Sequence, residues 1–127
     1  MGQQNPTVMI SLGGNAISPK NESGTIDEQF AHTRESLTAV MGFVKRRYNI
    51  CISHGNGPQV GAELQRNELT QDVIPPLPLG VLVANTQGAI GYMIQQSLQN
   101  ALYTEDANRE VVSIICLLYT SPSPRDS

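Results

Sequence analysis

The spacing of apolar residues changes period several times along the chain, and each change predicts an element boundary. Residues 7 to 12, TVMISL, form a short, nearly continuous apolar run rich in β-branched types. Such a run predicts a parallel strand buried on both faces. A polar loop follows through Ser18-Pro19-Lys20-Asn21. Thr25-Ile26-Asp27-Glu28 then has the form of a capping box, in which the threonine and glutamate side chains each satisfy a free backbone amide of the helix start. Beyond it, Ile26, Phe30, Leu37, Met41 and Val44 recur at helical spacing and predict one amphipathic helix ending near Arg46-Arg47. A second strand is expected at about 49 to 53. Pro58 suits the first residue of the next helix, where its missing amide donor costs nothing, with Val60 and Leu64 toward the sheet. Val73-Ile74-Pro75-Pro76-Leu77-Pro78 can be neither helical nor paired in a sheet, and reads as a surface loop or a piece of subunit or substrate lining. Ile90, Ile94, Leu98 and Leu102 mark one face of a further helix, and Val111 to Ile115 reads as a third strand. The order β-α-β-α-α-β belongs to the α/β class.

Two strand-to-helix junctions in this order carry glycine and asparagine: Gly13-Gly14-Asn15-Ala16 and His54-Gly55-Asn56-Gly57-Pro58-Gln59-Val60-Gly61. The carboxyl end of a strand meeting the amino end of a helix is where α/β proteins hold anions. Adjacent glycines let backbone amides reach a phosphoryl group with no Cβ in the way. Familiar nucleotide motifs do not account for them. The first loop lacks the Gly-Lys-Ser/Thr ending of a Walker A sequence, and the second has Val60 where a dinucleotide fingerprint needs glycine. Taken singly, Gly13-Gly14 is also explained by a tight turn, whereas the eight-residue second loop is far more specific.

Composition narrows the partners. The 127 residues carry a net charge of -3, with 39% hydrophobic and only 15% charged residues, which fits one soluble domain. Its scattered Lys and Arg make no basic stripe, so neither nucleic acid nor an anionic membrane surface is expected as a partner. No apolar stretch approaches the ~20 residues of a membrane span, and the start shows neither a signal peptide nor a myristoylation pattern, because Pro6 stands where Ser or Thr is required. A cytoplasmic location is the expectation. Cys51 and Cys116 lie in apolar runs and are expected as buried free thiols.

Three blocks together, Leu12-Gly13-Gly14-Asn15-Ala16-Ile17, Ser53 through Gly61, and Thr86-Gln87-Gly88-Ala89-Ile90-Gly91-Tyr92 with Gln95-Gln96, resemble carbamate kinase of the amino acid kinase superfamily. The resemblance covers residues 8 to about 115, the first third or so of such an enzyme. It implies a three-layer α/β/α sandwich with a mainly parallel sheet, amino acid kinase-like and truncated. It also implies an Mg2+-dependent phosphotransferase that interconverts ATP plus carbamate with ADP plus carbamoyl phosphate, usually a homodimer. By the same resemblance, Gly13, Gly14 and Asn15 would contact the phosphoryl group. Gly55, Asn56 and Gly57 would hold it and the carbamate from the other side, with Gln87 and Gly88 near the same pocket.

No residue of this chain is assigned a catalytic or metal-binding role. Carbamate oxygen is already anionic, so the reaction removes no proton, and His54 is expected to be a structural hydrogen-bond donor rather than a base. His32 reads as a surface or partly buried residue. Glu63, Glu68 and Asp72 read as a solvated helix face rather than metal ligands. Ser11 occupies the place where many superfamily members have lysine, and Gly80 stands where the family often has Asp, which weakens the start of the helix there. Of the only lysines, Lys45 is expected at the far end of the first helix, and Lys20 reads as an exposed loop lysine, with a swing toward the phosphates as the alternative. Lacking a fixed cation, metal ligands and a nucleotide pocket, the chain alone is expected to be inactive. Alternatives are another amino acid kinase using a different carboxylate or phosphate acceptor, or a non-catalytic anion-binding or dimerisation module. Residues 1-115 are expected to be the amino-terminal part of the kinase domain. Residues 116-127, ending Thr120-Ser121-Pro122-Ser123-Pro124-Arg125-Asp126-Ser127, read as a non-native read-through or a disordered tail.

Overall fold

The computed structural model describes residues 4–116, so residues 117–127 of the expected tail lie outside it. Strand β1, Thr7–Leu12, leads into a single helical turn α1, Gly14–Ile17. Helices α2, Ile26–Ser36, and α3, Thr38–Lys45, connect it to strand β2, Asn49–His54. Helix α4, Gly57–Thr70, and the long helix α5, Leu79–Thr104, complete the regular structure. None of the helices among the described residues is long and apolar enough to cross a membrane.

β1 and β2 pair in parallel from Thr7 opposite Asn49 to Leu12 opposite His54. A parallel pair needs a crossover connection, which α1 to α3 supply. Ile10, Ile50 and Ile52 pack against a buried cluster that includes Leu12, Ile17, Leu37, Val40, Ile90, Met93 and Leu98. Helices therefore cover one face of the pair. The other face, with Met9 65% exposed, is open among the described residues. The expectation of a strand buried on both faces is corrected accordingly, and Cys51, on the open face beside Met9, is an exposed thiol rather than a buried one. Cys116 is exposed as well.

The capping box at Thr25 is present in full: Glu28 N–H donates to Thr25 Oγ1, and Thr25 N–H donates to Glu28 Oε1 at 2.9 Å. The expected single helix is divided at Leu37, yet its path is carried across, because Leu37 N–H bonds Thr33 O and Met41 N–H bonds Leu37 O. Thr33 is fully buried on this face and satisfies its hydroxyl on Gln29 O. α3 ends with Arg47 in the left-handed region (φ 62°), where Tyr48 N–H reaches back to Phe43 O and Arg47 N–H to Val44 O. This is a Schellman ending, and α5 repeats it with Asp106 (φ 56°) and Ala107.

α4 starts at Gly57, with Pro58 in its first turn as expected. Leu64, expected against the sheet, is instead 46% exposed, because α4 packs on α1 and α5 and buries no residue completely. Asn67 clamps the Pro-rich loop by donating to Leu77 O and accepting from Leu77 N–H. The expected α5 face, Ile90, Ile94, Leu98 and Leu102, is buried throughout. Pro78 precedes α5 and, having no side-chain acceptor, makes no cap to it.

Residues 111–115 do not form the expected third strand. Polar groups from 111 to 116 go to α5 in place of a ladder: Val111 N–H to Gln99 Oε1, Cys116 N–H to Gln87 Oε1, and Ser113 Oγ to Gln95 Oε1 and the Gly91 carbonyl. An apolar run becomes a strand only when a neighbouring strand accepts its backbone bonds, and here the helix side chains do so.

Candidate anion-binding site

Because β1 and β2 are in parallel register to their last residues, both glycine loops leave the same end of the pair. Gly55 N–H donates to Leu12 O at 2.9 Å, which draws the second loop onto the end of β1. The loops then touch. A β-carbon built at Gly14 would lie 2.9 Å from Pro58 Cδ and 3.1 Å from Gly57 N, and one built at Gly55 would lie 3.2 Å from Gly14 N. A side chain at Gly14 would force the loops to shift, and one at Gly55 would press closely on the Gly14 backbone. Gln59 Nε2 approaches Gly14 O at 3.4 Å, and its Oε1 is buried without a hydrogen-bond partner among the described residues. Gly13, Gly14, Asn15, Gly55, Asn56 and Gly57 are thus brought together as two loops in direct contact. Gly13 and Gly57 face open space where a β-carbon would be.

Asn56 occupies the cap position of α4 but makes no side-chain cap to it. Instead its Nδ2 donates to Thr86 Oγ1 on α5 at 2.9 Å, while Thr86 Oγ1 donates to Val83 O at 2.8 Å. Thr86 is buried, and it is the side chain of the third block that reaches the second loop. Its neighbours Gln87 and Gly88 are the residues expected at this pocket by resemblance. Gln87 accepts from Cys116 N–H, and Gly88 is exposed with nothing near its β-carbon position. The signal for Thr86 was its period: it falls four residues before Ile90 on the buried face of α5.

Other candidates sit as follows. Ser11 Oγ and Ser53 Oγ share a hydrogen bond of 2.8 Å on the open sheet face, one residue before each strand's end. His54 Nδ1–H donates to Gly55 O at 3.2 Å, a bond to its own loop. His32 is partly buried and pairs with Glu22 at 2.6 Å. Glu63 pairs with Arg66 within α4. Lys45 pairs with Glu105 at 3.9 Å in a cleft shared with Asn5 and Asn49, at the amino ends of the strands and so opposite the loops. Among the described residues no three His, Cys, Asp or Glu side chains come together as a metal site would require. What the loops offer is amide N–H groups and side-chain amides, a donor set suited to anionic oxygen.

The chain is 43% identical over 110 residues to the carbamate kinase of Pyrococcus horikoshii, a match covering 85% of this chain and 35% of that protein. With the carbamate kinase of Trichomonas vaginalis it shares 36% identity over 116 residues, 91% of this chain and 37% of that one. The fold superposes on a carbamate kinase from Giardia lamblia bound to AMP-PNP with a TM-score of 0.77 at 36% identity, covering 81% of this chain and 36% of that one. No family model matches. The chain therefore spans about a third of the length of the curated relatives it matches.

Proposed function

We propose, for a chain homologous to the carbamate kinases over most of its length, that these residues form the phosphoryl- and carbamate-facing part of a phosphotransferase. The complete enzyme would interconvert ATP plus carbamate with ADP plus carbamoyl phosphate. The observation that carries this reading is the contact between two glycine loops at one end of a parallel strand pair, with Asn56 tied to α5. Carbamate needs no deprotonation, so catalysis reduces to holding donor and acceptor in line and neutralising charge on the transferred group. Backbone amides at the start of α4 and the side chains of Asn15 and Asn56 supply donors without a proton transfer, and Gln87 and Gly88 stay part of the proposed pocket.

Mg2+, which would accompany ATP or ADP, does not fit the residues present. The side chains joining the loops, Asn56, Gln59 and Thr86, include no carboxylate, and a hard cation takes oxygen ligands with charge to match. Lys45 is committed at the opposite end of the strands. Transfer without a metal or fixed cation forfeits several kcal/mol of transition-state stabilisation, on the order of the ~3–4 kcal/mol lost with a single oxyanion donor, or more. We therefore assign anion binding without turnover to this chain, and transfer, homodimer assembly and a cytoplasmic setting to the complete protein.

Titration calorimetry of this chain with carbamoyl phosphate, phosphate and ADP, beside an ATP-formation assay on the longer protein, tests the proposal. Expected are binding of the two phosphate anions by the chain, and ATP formed from ADP and carbamoyl phosphate by the longer protein. A folded longer protein that uses another acyl phosphate and ignores carbamoyl phosphate would replace the substrate. One that binds anions and transfers nothing would leave a binding module.

A further inference from the structure

We infer that Thr86 is a positioning residue for the phosphoryl-binding loop: it holds the Asn56 side chain off α4 and so leaves the first amides of that helix open to an anion. The inference rests on the proposed function of the same loops. An asparagine at a helix cap ordinarily turns its Oδ1 onto the amide two or three residues ahead. Asn56 does not, and its Nδ2 reaches Thr86 Oγ1, 30 residues away, at 2.9 Å. The direction of that bond is set on the Thr86 side. The Thr86 hydroxyl proton is committed to Val83 O at 2.8 Å, so the oxygen can only accept, and only the nitrogen end of the Asn56 amide can face it. Gly57 N–H and Gln59 N–H consequently keep no side-chain partner at their helix end, and Pro58 has no amide to offer. Gly57 N lies beside Gly14, where the first loop crosses. Thr86 itself is buried and anchored on a face that continues into Ile90 and Ile94, so the anchor is fixed by packing.

Valine matches threonine in shape and lacks the hydroxyl. In Thr86→Val, Asn56 loses its partner and is free to cap Gln59 N–H; Thr86→Ser keeps the bond. Nuclear magnetic resonance of the 127-residue chain reads both states, through the Asn56 side-chain amide, exchange at the Gln59 amide, and shifts on adding inorganic phosphate or carbamoyl phosphate. In Thr86→Val the Gln59 amide is expected to gain protection and anion affinity to fall about tenfold, the equivalent of one donor withdrawn, while Thr86→Ser behaves like the parent. On an Asn56→Ala background Thr86→Val is expected to have no further effect, because its action passes through Asn56. Equal binding by parent and Thr86→Val, both folded, overturns the role of Thr86 alone. A folded parent chain that binds neither anion overturns the loop reading and the role of Thr86 with it.

Discussion

Gly14 lies directly under Pro58, so that a β-carbon at position 14 would come within 2.9 Å of the proline Cδ. The proline ring cannot swing aside, and Gly57 N at 3.1 Å is backbone. Gly14→Ala must therefore push the two loops apart, an overpacking cost of ~1–3 kcal/mol set against ~1 kcal/mol of helix propensity gained. The net expectation is a loss of about 1 kcal/mol with weakened anion binding. Gly13 gives the contrast, since nothing lies within 4 Å of its β-carbon position and its φ of -72° is open to any residue. Gly13→Ala is expected to leave stability equal or slightly raised. Urea midpoints of the two variants check this, and a Gly14→Ala protein as stable as Gly13→Ala would mean that the loops do not touch in solution.

How the loops come together was legible in the sequence, because two short apolar runs followed by glycine fix strand ends and helix starts locally. The capping box and the Ile90 to Leu102 face were readable for the same reason: each is a pattern within one element. What escaped depends on distant partners. Val111 to Ile115 has strand composition, yet the amide at its start is taken by Gln99 and that of Cys116, just beyond its end, by Gln87. Cys51 sits in an apolar run, but strand burial depends on whether a second layer covers the sheet. Thr86 escaped because a hydroxyl on a buried helix face has the same spacing whether it packs or binds.

Glu28 gives a pH test. Its carboxylate accepts from the Thr25 backbone N–H and then from the Thr25 hydroxyl, and both bonds hold its pKa below the ordinary glutamate value. A lowered folded-state value means that the capping box stabilises the fold above the unfolded glutamate pKa, and that this contribution is lost as pH falls through the folded value. Carbon-detected titration of Glu28 is expected to show a midpoint below that of an exposed glutamate, and Thr25→Ala to raise it partway, since the backbone N–H remains. An unshifted Glu28 in the parent chain would mean that the box is open in solution.

Arg47 and Asp106 both hold the left-handed conformation that ends a helix, where glycine is the usual choice. That conformation costs a residue with a β-carbon ~1–2 kcal/mol, and glycine returns part of this through its greater freedom in the unfolded chain. Arg47→Gly is expected to stabilise by ~0.5–1 kcal/mol, read as a higher denaturation midpoint with an unchanged slope. Asp106→Gly is expected to behave alike and to add to it, as the two endings belong to different helices. A fall in midpoint for Arg47→Gly would show that the arginine side chain contributes more in its cleft than its backbone costs.

Gln99 stands in for a strand partner. From α5 it donates through Nε2 to Arg109 O at 2.9 Å and accepts through Oε1 from Val111 N–H at 3.0 Å, so one side chain satisfies two backbone groups of the irregular segment. Gln99→Leu keeps the volume and removes both bonds, at ~0.5–1.5 kcal/mol each where water can take their place. Helix α5 keeps its buried face of Ile94, Leu98 and Leu102, so the damage is expected to stay local. Hydrogen exchange checks this directly: the Val111 amide should exchange at least tenfold faster in Gln99→Leu, on the arithmetic of ~1.4 kcal/mol per tenfold, while the amides of residues 94 to 98 do not change. A Val111 amide protected equally in both proteins would show that another backbone, and not Gln99, holds this segment, which would restore the strand that its composition suggests.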